Sequence, residues 1–452
     1  FRLMGGSATA REMAYVVPSC FCACHGPADW IGGMRGGCCG CASARRPSRR
    51  AAGLLAPLVA AALCWTSWPG AFVHAPPAAR GDAVRGGCTH LAAVADSATE
   101  ELQLGSLDAD IRELAAENLP SEEDMQRRWR LLREIEAAYM SVTGAEGIQV
   151  LPYGSAANGC GERTSDIDAA LVTPESPSWN TAEMDRKRQA ELEAGTLRRA
   201  LNAATLSGFR KASFIPNTRI PLLTLDKQGL SFDLTCNSLP VYNSRLLYEY
   251  TLLCEDLPPL AVVIKRWAKA SAVAGATNGF PSSYSYTLLV VYYLQQEGVL
   301  PSLQAMAETA GQEPVELENM GRSLSFAFMS AEDAKKSWQG TAAARSPGEL
   351  LQGFFTFYAS EYEWGDEVVS IRLGRRVRIS EEREVIPQLK LKGRGAGTFP
   401  NMHIEDPIEA HRNLNFPMNK VRFAQLREAF DRAASLLREG RPLQELLAGT
   451  PP

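Results

Sequence analysis

The sequence predicts an α+β protein, a domain of mixed strands and helices followed by a mainly helical region. Three observations predict it. Residues 149–172 (QVLPYGSAANGCGERTSDIDAALV) have the pattern of a strand, a Gly-Ser turn, a polar loop and a second strand. Phe209 to Leu225 and Leu230 to Thr235 have strand character and are joined by the turn Asp226-Lys227-Gln228-Gly229. From about residue 243 onward, apolar residues recur at helical spacing.

The chain has 452 residues, enough for two or three domains and a sizeable core. Apolar content of 45% and charged content of 22% are those of an ordinary globular protein. A net charge of −4 excludes a protein that grips nucleic acid through bulk positive charge, so RNA contact needs a local groove or a partner. Of the 11 cysteines, only Cys160, Cys236 and Cys254 lie beyond residue 100, which argues against a disulfide framework in the body.

Residues 1–104 are expected to form a leader and linker. The sequence opens on Phe, with Met4, Met13 and Met34 as alternative starts. Cys20, Cys22, Cys24, His25, Cys38, Cys39 and Cys41 are of zinc-binding type, but their spacing matches no common zinc module. Arg45-Arg46 and Arg49-Arg50 precede the apolar run 51–65, which has signal-peptide form and is short for a membrane span. The following Ala71-Phe72-Val73-His74-Ala75-Pro76-Pro77 resembles the Phe-headed start of bipartite plastid leaders. That resemblance implies a plastid protein without stable membrane association once mature. The mitochondrion, the secretory route and the cytoplasm are the alternatives. Small polar residues over 76–100 read as a linker.

The folded body is expected from about residue 105. Ser121-Glu122-Glu123-Asp124 has capping-box form, and Met125, Trp129, Leu132, Ile135 and Tyr139 mark a packing helix. In the next segment, Asp166 and Asp168 project from the same side of a strand. Two carboxylates on one face call for a divalent cation. The Gly154-Ser155 turn offers backbone N–H groups and a hydroxyl suited to phosphate. Either feature alone is commonly just a turn; together they point to nucleotidyl transfer. Further helices are expected over 181–203, 258–272, 283–297, 347–361 and 417–439.

Gly154-Ser155 with Asp166 and Asp168 resembles the signature of the polymerase-beta-like nucleotidyltransferases, and Asp233 in Ser231-Phe232-Asp233-Leu234 stands as the third carboxylate. The segments 241–247 (VYNSRLL), 263–269 (VIKRWAK) and 279–284 (GFPSSY) are similar to the central domain of terminal uridylyltransferases and poly(A) RNA polymerases. Residues 348–355 (GELLQGFF) and 404–407 (IEDP) resemble the poly(A)-polymerase-associated region of that family. The resemblance implies a catalytic domain over 105–245 and a helical central domain over 246–452, the associated region lying near 345–415. The active site would lie in the cleft between the two domains, and the first helix could pack on the central one. It further implies that Asp166, Asp168 and Asp233 hold two Mg²⁺ (or Mn²⁺) ions, with Asp233 helping to deprotonate the RNA 3′-hydroxyl. Gly154, Ser155, Lys265 and Lys269 would meet the triphosphate, Asn243 the ribose, and Ser283 and Tyr284 a phosphate and the base, with Ser244 a further nucleotide contact. The partners implied are an RNA 3′ end, UTP or ATP, and an RNA-binding protein that supplies targeting. A small-molecule nucleotidyltransferase has no reason to carry the Asp406-Pro407 region, and an inactive scaffold would ordinarily have lost an aspartate.

Base choice turns on Asp406-Pro407-Ile408-Glu409-Ala410-His411-Arg412-Asn413. The uridylyltransferase pattern carries a histidine where this chain has Arg412, and His411 lies one residue early. Arginine donates, which suits uracil O4, whereas Asp406 and Glu409 accept, which suits the adenine amino group. UTP is the expected nucleotide and ATP the alternative.

Overall fold

The computed structural model describes residues 87–176, 184–218, 220–319, 322–340, 344–386, 402–415 and 418–449, with backbone alone for 87–102 and Arg383. The signal-like segment, the plastid-like stretch and the Cys-His cluster lie outside the described residues.

The sheet is built from β1 (Gln149–Tyr153), β2 (Ile167–Val172), β3 (Arg210–Ile215), β4 (Leu222–Lys227) and β5 (Leu230–Thr235), in the order β1-β2-β5-β4-β3. Only β2 and β5 run parallel. One face is apolar by strand alternation: Ile167, Ala169, Leu171, Leu223, Leu225, Phe232 and Leu234 are all buried. They pack against Leu131, Leu132 and Ile135 of α2 (Glu122–Thr143) and Leu197, Ala200 and Ala203 of α3 (Arg186–Leu206). The capping box at Ser121 and Asp124 starts α2 as expected. The opposite face bears a polar row running across five strands through successive register partners: Tyr153, Asp168, Asp233, Thr224 and Ser213.

The expected single strand from Phe209 to Leu225 is two strands. Pro216 and Pro221 lie between them, and proline cannot donate to a ladder. The 76–100 stretch read as a linker is helical from its residue 87, because α1 spans Gly87–Asn118. Its Ala-, Leu- and Glu-rich sequence favours helix.

The helical body comprises α4 (Leu239–Leu253), α5 (Leu257–Ala270), α6 (Ser283–Gln296), α7 (Leu303–Thr309), the hairpin β6 (Val315–Asn319) and β7 (Arg322–Phe326), α8 (Ala331–Ser337), α9 (Pro347–Thr356), the short pair β8 (Val368–Val369) and β9 (His403–Ile404), α10 (Lys420–Arg438) and α11 (Leu443–Ala448). Trp267 centres its core, with Phe355 at 4.7 Å and Phe430 at 5.0 Å between ring centroids. Leu107, Ile111 and Leu114 of α1 belong to this core, and the Gly348 amide donates to Asp108 at 2.6 Å. Thus α1 packs on α9 in the helical body, whereas α2, the first helix read from the sequence, packs on the sheet. The boundary expected at 245/246 falls inside the continuous helix α4. Its Val241 packs on Leu151 and Ala170 of the sheet, while Leu246, Leu247 and Tyr250 enter the helical core. Among the described residues no helix is long and apolar enough to cross a membrane.

Candidate active site

Asp168 and Asp233 are register partners on the parallel strands β2 and β5. Both turn away from the packed face, because their neighbours Ile167, Ala169, Phe232 and Leu234 fill it. Asp166 lies one residue before β2 and is exposed. Burial, then Asp233 and Asp166, push the Asp168 carboxyl up to about 7. Burial, then Asp233 and Asp226, raise Asp166 as well. Tyr153 flanks the group; burial drives its phenol up to about 12, and its hydroxyl lies 3.3 Å from Thr235 Oγ1.

Among the described residues, no three Asp, Glu, His or Cys side chains stand at metal-coordinating spacing. Unscreened carboxylates repel one another, so they have no reason to converge without a cation. The donor set nevertheless fits one. Asp168 and Asp233 are neighbours, hard oxygen donors suit Mg²⁺ or Mn²⁺, and a cation would relieve the electrostatic cost seen at Asp168.

Gly154 follows β1 with φ of 65° and opens the turn Gly154–Ala156. A Cβ there would stand 2.5 Å from Asp168 Oδ2, so this backbone reaches the carboxylate only as glycine. The Gly154 amide donates to Ser244 Oγ at 2.7 Å, and that hydroxyl donates to the Pro240 carbonyl at 2.7 Å. Buried Ser244 therefore fixes the turn, where a nucleotide contact was expected. The loop onward to Asp166 is clamped by cations from two helices. Arg128 of α2 donates to the Glu162 and Arg163 carbonyls at 3.1 and 2.7 Å. Arg266 of α5 pairs with the Glu162 carboxylate at 2.7 Å.

Lys265, expected at the triphosphate, donates to the Cys160 carbonyl, and burial lowers its pKa. Lys269, one turn on, is exposed. Ser283 opens α6 and is exposed; Tyr284 beside it has a half-buried ring. Two buried polar atoms here lack partners, Asn243 Oδ1 and the Tyr284 hydroxyl. Burial raises the Tyr284 phenol, with Asp406, Arg412 and Glu409 the charges around it.

Asp406 is buried, and its Oδ1 accepts from the Ile408 and Glu409 amides at 3.0 Å each, so this oxygen shapes the loop. Next to it, Glu405 is buried in an ion pair with Arg372 at 2.9 Å. Arg412 pairs with Glu409 at 3.1 Å. His411 is half-buried; burial, then Arg322 of β7, lower its pKa. The charges of Arg412 and Glu409 thus act on Tyr284, and those of Arg322 and Glu409 on His411. Arg128, Glu162, Arg266 and the orphaned oxygens escaped sequence reasoning, because each depends on contacts between distant segments.

Two family models match. One describes the poly(A) RNA polymerase, mitochondrial-like, central palm domain, over residues 107–252. The other describes the Cid1 family poly A polymerase, over residues 346–412. These two matches, the central palm domain followed by the poly A polymerase region, make the chain similar to the poly(A) RNA polymerases and their Cid1 relatives. Among curated proteins it is similar to the poly(A) RNA polymerase GLD2 of Rattus norvegicus, 27% identical over 303 residues, which are 65% of this chain and 57% of that protein. It is also similar to GLD2-A of Xenopus laevis, 29% identical over 304 residues, 66% of this chain and 54% of that protein. The chain spans little more than half the length of these curated relatives. Among solved structures, the Cid1 poly(U) polymerase with MgGTP bound matches with a TM-score of 0.59 at 22% identity, covering 76% of this chain and 98% of that one. Cid1 in complex with the UTP analog UMPNPP matches with a TM-score of 0.58 at 21% identity, covering 76% and 98%. The likeness to Cid1 shows the polymerase-beta-like nucleotidyltransferase fold.

Proposed function

We propose that the chain is an RNA 3′-terminal nucleotidyltransferase that adds UMP or AMP residues without a template. The observation that carries this reading is the pairing of Asp168 with Asp233 directly beside the Gly154 turn. Two Mg²⁺ (or Mn²⁺) ions held by Asp166, Asp168 and Asp233 would neutralise charge at the attacking and leaving oxygens. Gly154 and Ser155 orient the triphosphate, and exposed Lys269 adds positive charge. Asn243 Oδ1, buried without a partner, is suited to accept from a ribose hydroxyl. The Tyr284 ring offers a stacking surface for the base. Lys265 acts one step back, holding the loop that carries Asp166.

Both nucleotide readings have support. Arg412 presents a donor for uracil O4, which favours UTP, and Cid1 is a poly(U) polymerase. Glu409 presents an acceptor for the adenine amino group, and the curated relatives are poly(A) polymerases. With a net charge of −4, RNA targeting would rest on a partner protein.

The test uses the full chain, Mg²⁺, a labelled RNA with a free 3′-hydroxyl, and each of the four nucleoside triphosphates separately. Extension that disappears in Asp168→Ala is expected. An Asp168→Ala protein that still extends RNA would overturn the site. Absence of extension by the wild type, with or without a cell extract, would favour an inactive scaffold.

A further inference from the structure

Asp233 has Asp168 beside it on one strand and Thr224 beside it on the other. The phosphate-binding turn lies on the Asp168 side, since Tyr153, the residue before Gly154, pairs with Asp168. In-line displacement puts the attacking hydroxyl opposite the departing pyrophosphate. The acceptor's terminal ribose therefore comes in over Asp233 and β4. That flank is accessible. Val241 of α4 covers the β1–β2 end of this face, whereas Thr224 and Ser213 are only half-buried.

Ser213 Oγ donates to Thr224 Oγ1 at 3.1 Å. This bond occupies a lone pair of the threonine hydroxyl, and the Thr224 O–H has no acceptor among the described residues. A donor is thus left on the open face one strand from Asp233, where cross-strand neighbours stand about 5 Å apart. The 2′- and 3′-hydroxyls of ribose sit on adjacent carbons. With the 3′-hydroxyl at Asp233, the 2′-hydroxyl falls within reach of Thr224.

We propose that Thr224, oriented by Ser213, hydrogen-bonds the 2′-hydroxyl of the acceptor's terminal ribose and so selects RNA over DNA 3′ ends. Thr224 is then a specificity residue and Ser213 a positioning residue. The assignment rests on the transferase reading above.

The experiment compares two acceptors that differ only in a terminal ribonucleotide or 2′-deoxynucleotide, using the full chain. Wild-type protein is expected to extend the ribo-ended acceptor about tenfold better in kcat/KM, the size of one hydrogen bond to a partly exposed group. Thr224→Val should bring that ratio close to one, Thr224→Ser should keep it, and Ser213→Ala should reduce it in part. A merely structural role would lower both acceptors alike and leave the ratio. A Thr224→Val protein that keeps the wild-type ratio, or a wild type that uses both acceptors equally, overturns the assignment and leaves the transferase reading standing. A wild type that extends neither acceptor overturns both.

Discussion

The backbone of Gly154 faces the Asp168 carboxylate so closely that a Cβ on Gly154 would lie 2.5 Å from Oδ2. The Gly154 turn and the strand that carries Asp168 are therefore one unit. Gly154→Ala must move Asp168, and it also places a side chain at φ of 65°, at a conformational cost of about 1 kcal/mol. Displacing a reacting group by about 1 Å costs on the order of a hundredfold in rate. Nucleotidyl transfer by Gly154→Ala should fall by about that factor while the melting temperature drops only slightly. Full activity in this variant would show that the close approach has no catalytic role.

The carboxylate pair makes stability depend on pH and on divalent cations. Asp168 is raised to about 7 in the folded chain, by burial and then by Asp233 and Asp166. The unfolded carboxyl releases its proton near pH 4. Between these values the native state binds more protons than the unfolded state, so cation-free stability should fall as pH rises from about 4 to about 7. Asp168→Asn should flatten that slope. Mg²⁺ competes with the proton, so the thermal shift it produces should be larger near pH 8 than near pH 6. A Mg²⁺ shift independent of pH would remove Asp168 from the binding set.

The site was legible where its chemistry is local. Gly154, Asp166 and Asp168 lie within fifteen residues of one another, but strand alternation places only Asp168, because β2 begins at Ile167 and leaves Asp166 on the loop before it. The β3–β4 break carried its own signal in Pro216 and Pro221, since proline cannot donate to a ladder. The clamp on the Asp166 loop was not legible. Arg128 and Glu162 stand 34 residues apart and Arg266 and Glu162 104 apart, and no periodicity links them. For Lys265 and Ser244 the family resemblance implied ligand contacts, and their backbone partners in the folded chain come from segments that no local pattern points to.

That clamp yields a separable prediction. Arg266 and Glu162 form a half-exposed pair, with side-chain accessibilities of 34% and 22%, so screening holds its contribution to on the order of 1 kcal/mol. Arg266→Met and Glu162→Gln should each lower stability by about that amount and slow turnover several-fold, by loosening the loop that presents Asp166. Arg266 also donates to Asn118 Oδ1, so Arg266→Met should cost somewhat more, and adding Glu162→Gln to it should cost little further, because the pair is already lost. Additive losses in a double-mutant cycle would mean that they act separately.

Nucleotide choice should divide along the Glu409–Arg412 pair. The two side chains are held at 3.1 Å beside Tyr284, one an acceptor and the other a donor. Arg412 is exposed, so a nucleobase can compete for its guanidinium without opening the core. Removing the donor with Arg412→Ala should weaken use of UTP relative to ATP. Glu409→Gln retains a carbonyl acceptor but loses the charge, and should weaken ATP relative to UTP. Each change is expected at about three- to tenfold in the UTP/ATP ratio of kcat/KM, the range for one partly solvated hydrogen bond. Tyr284→Ala should lower both nucleotides together, because stacking is indifferent to the base edge. If His411→Ala moves the ratio and Arg412→Ala does not, His411 reads the base in place of the Glu409–Arg412 pair.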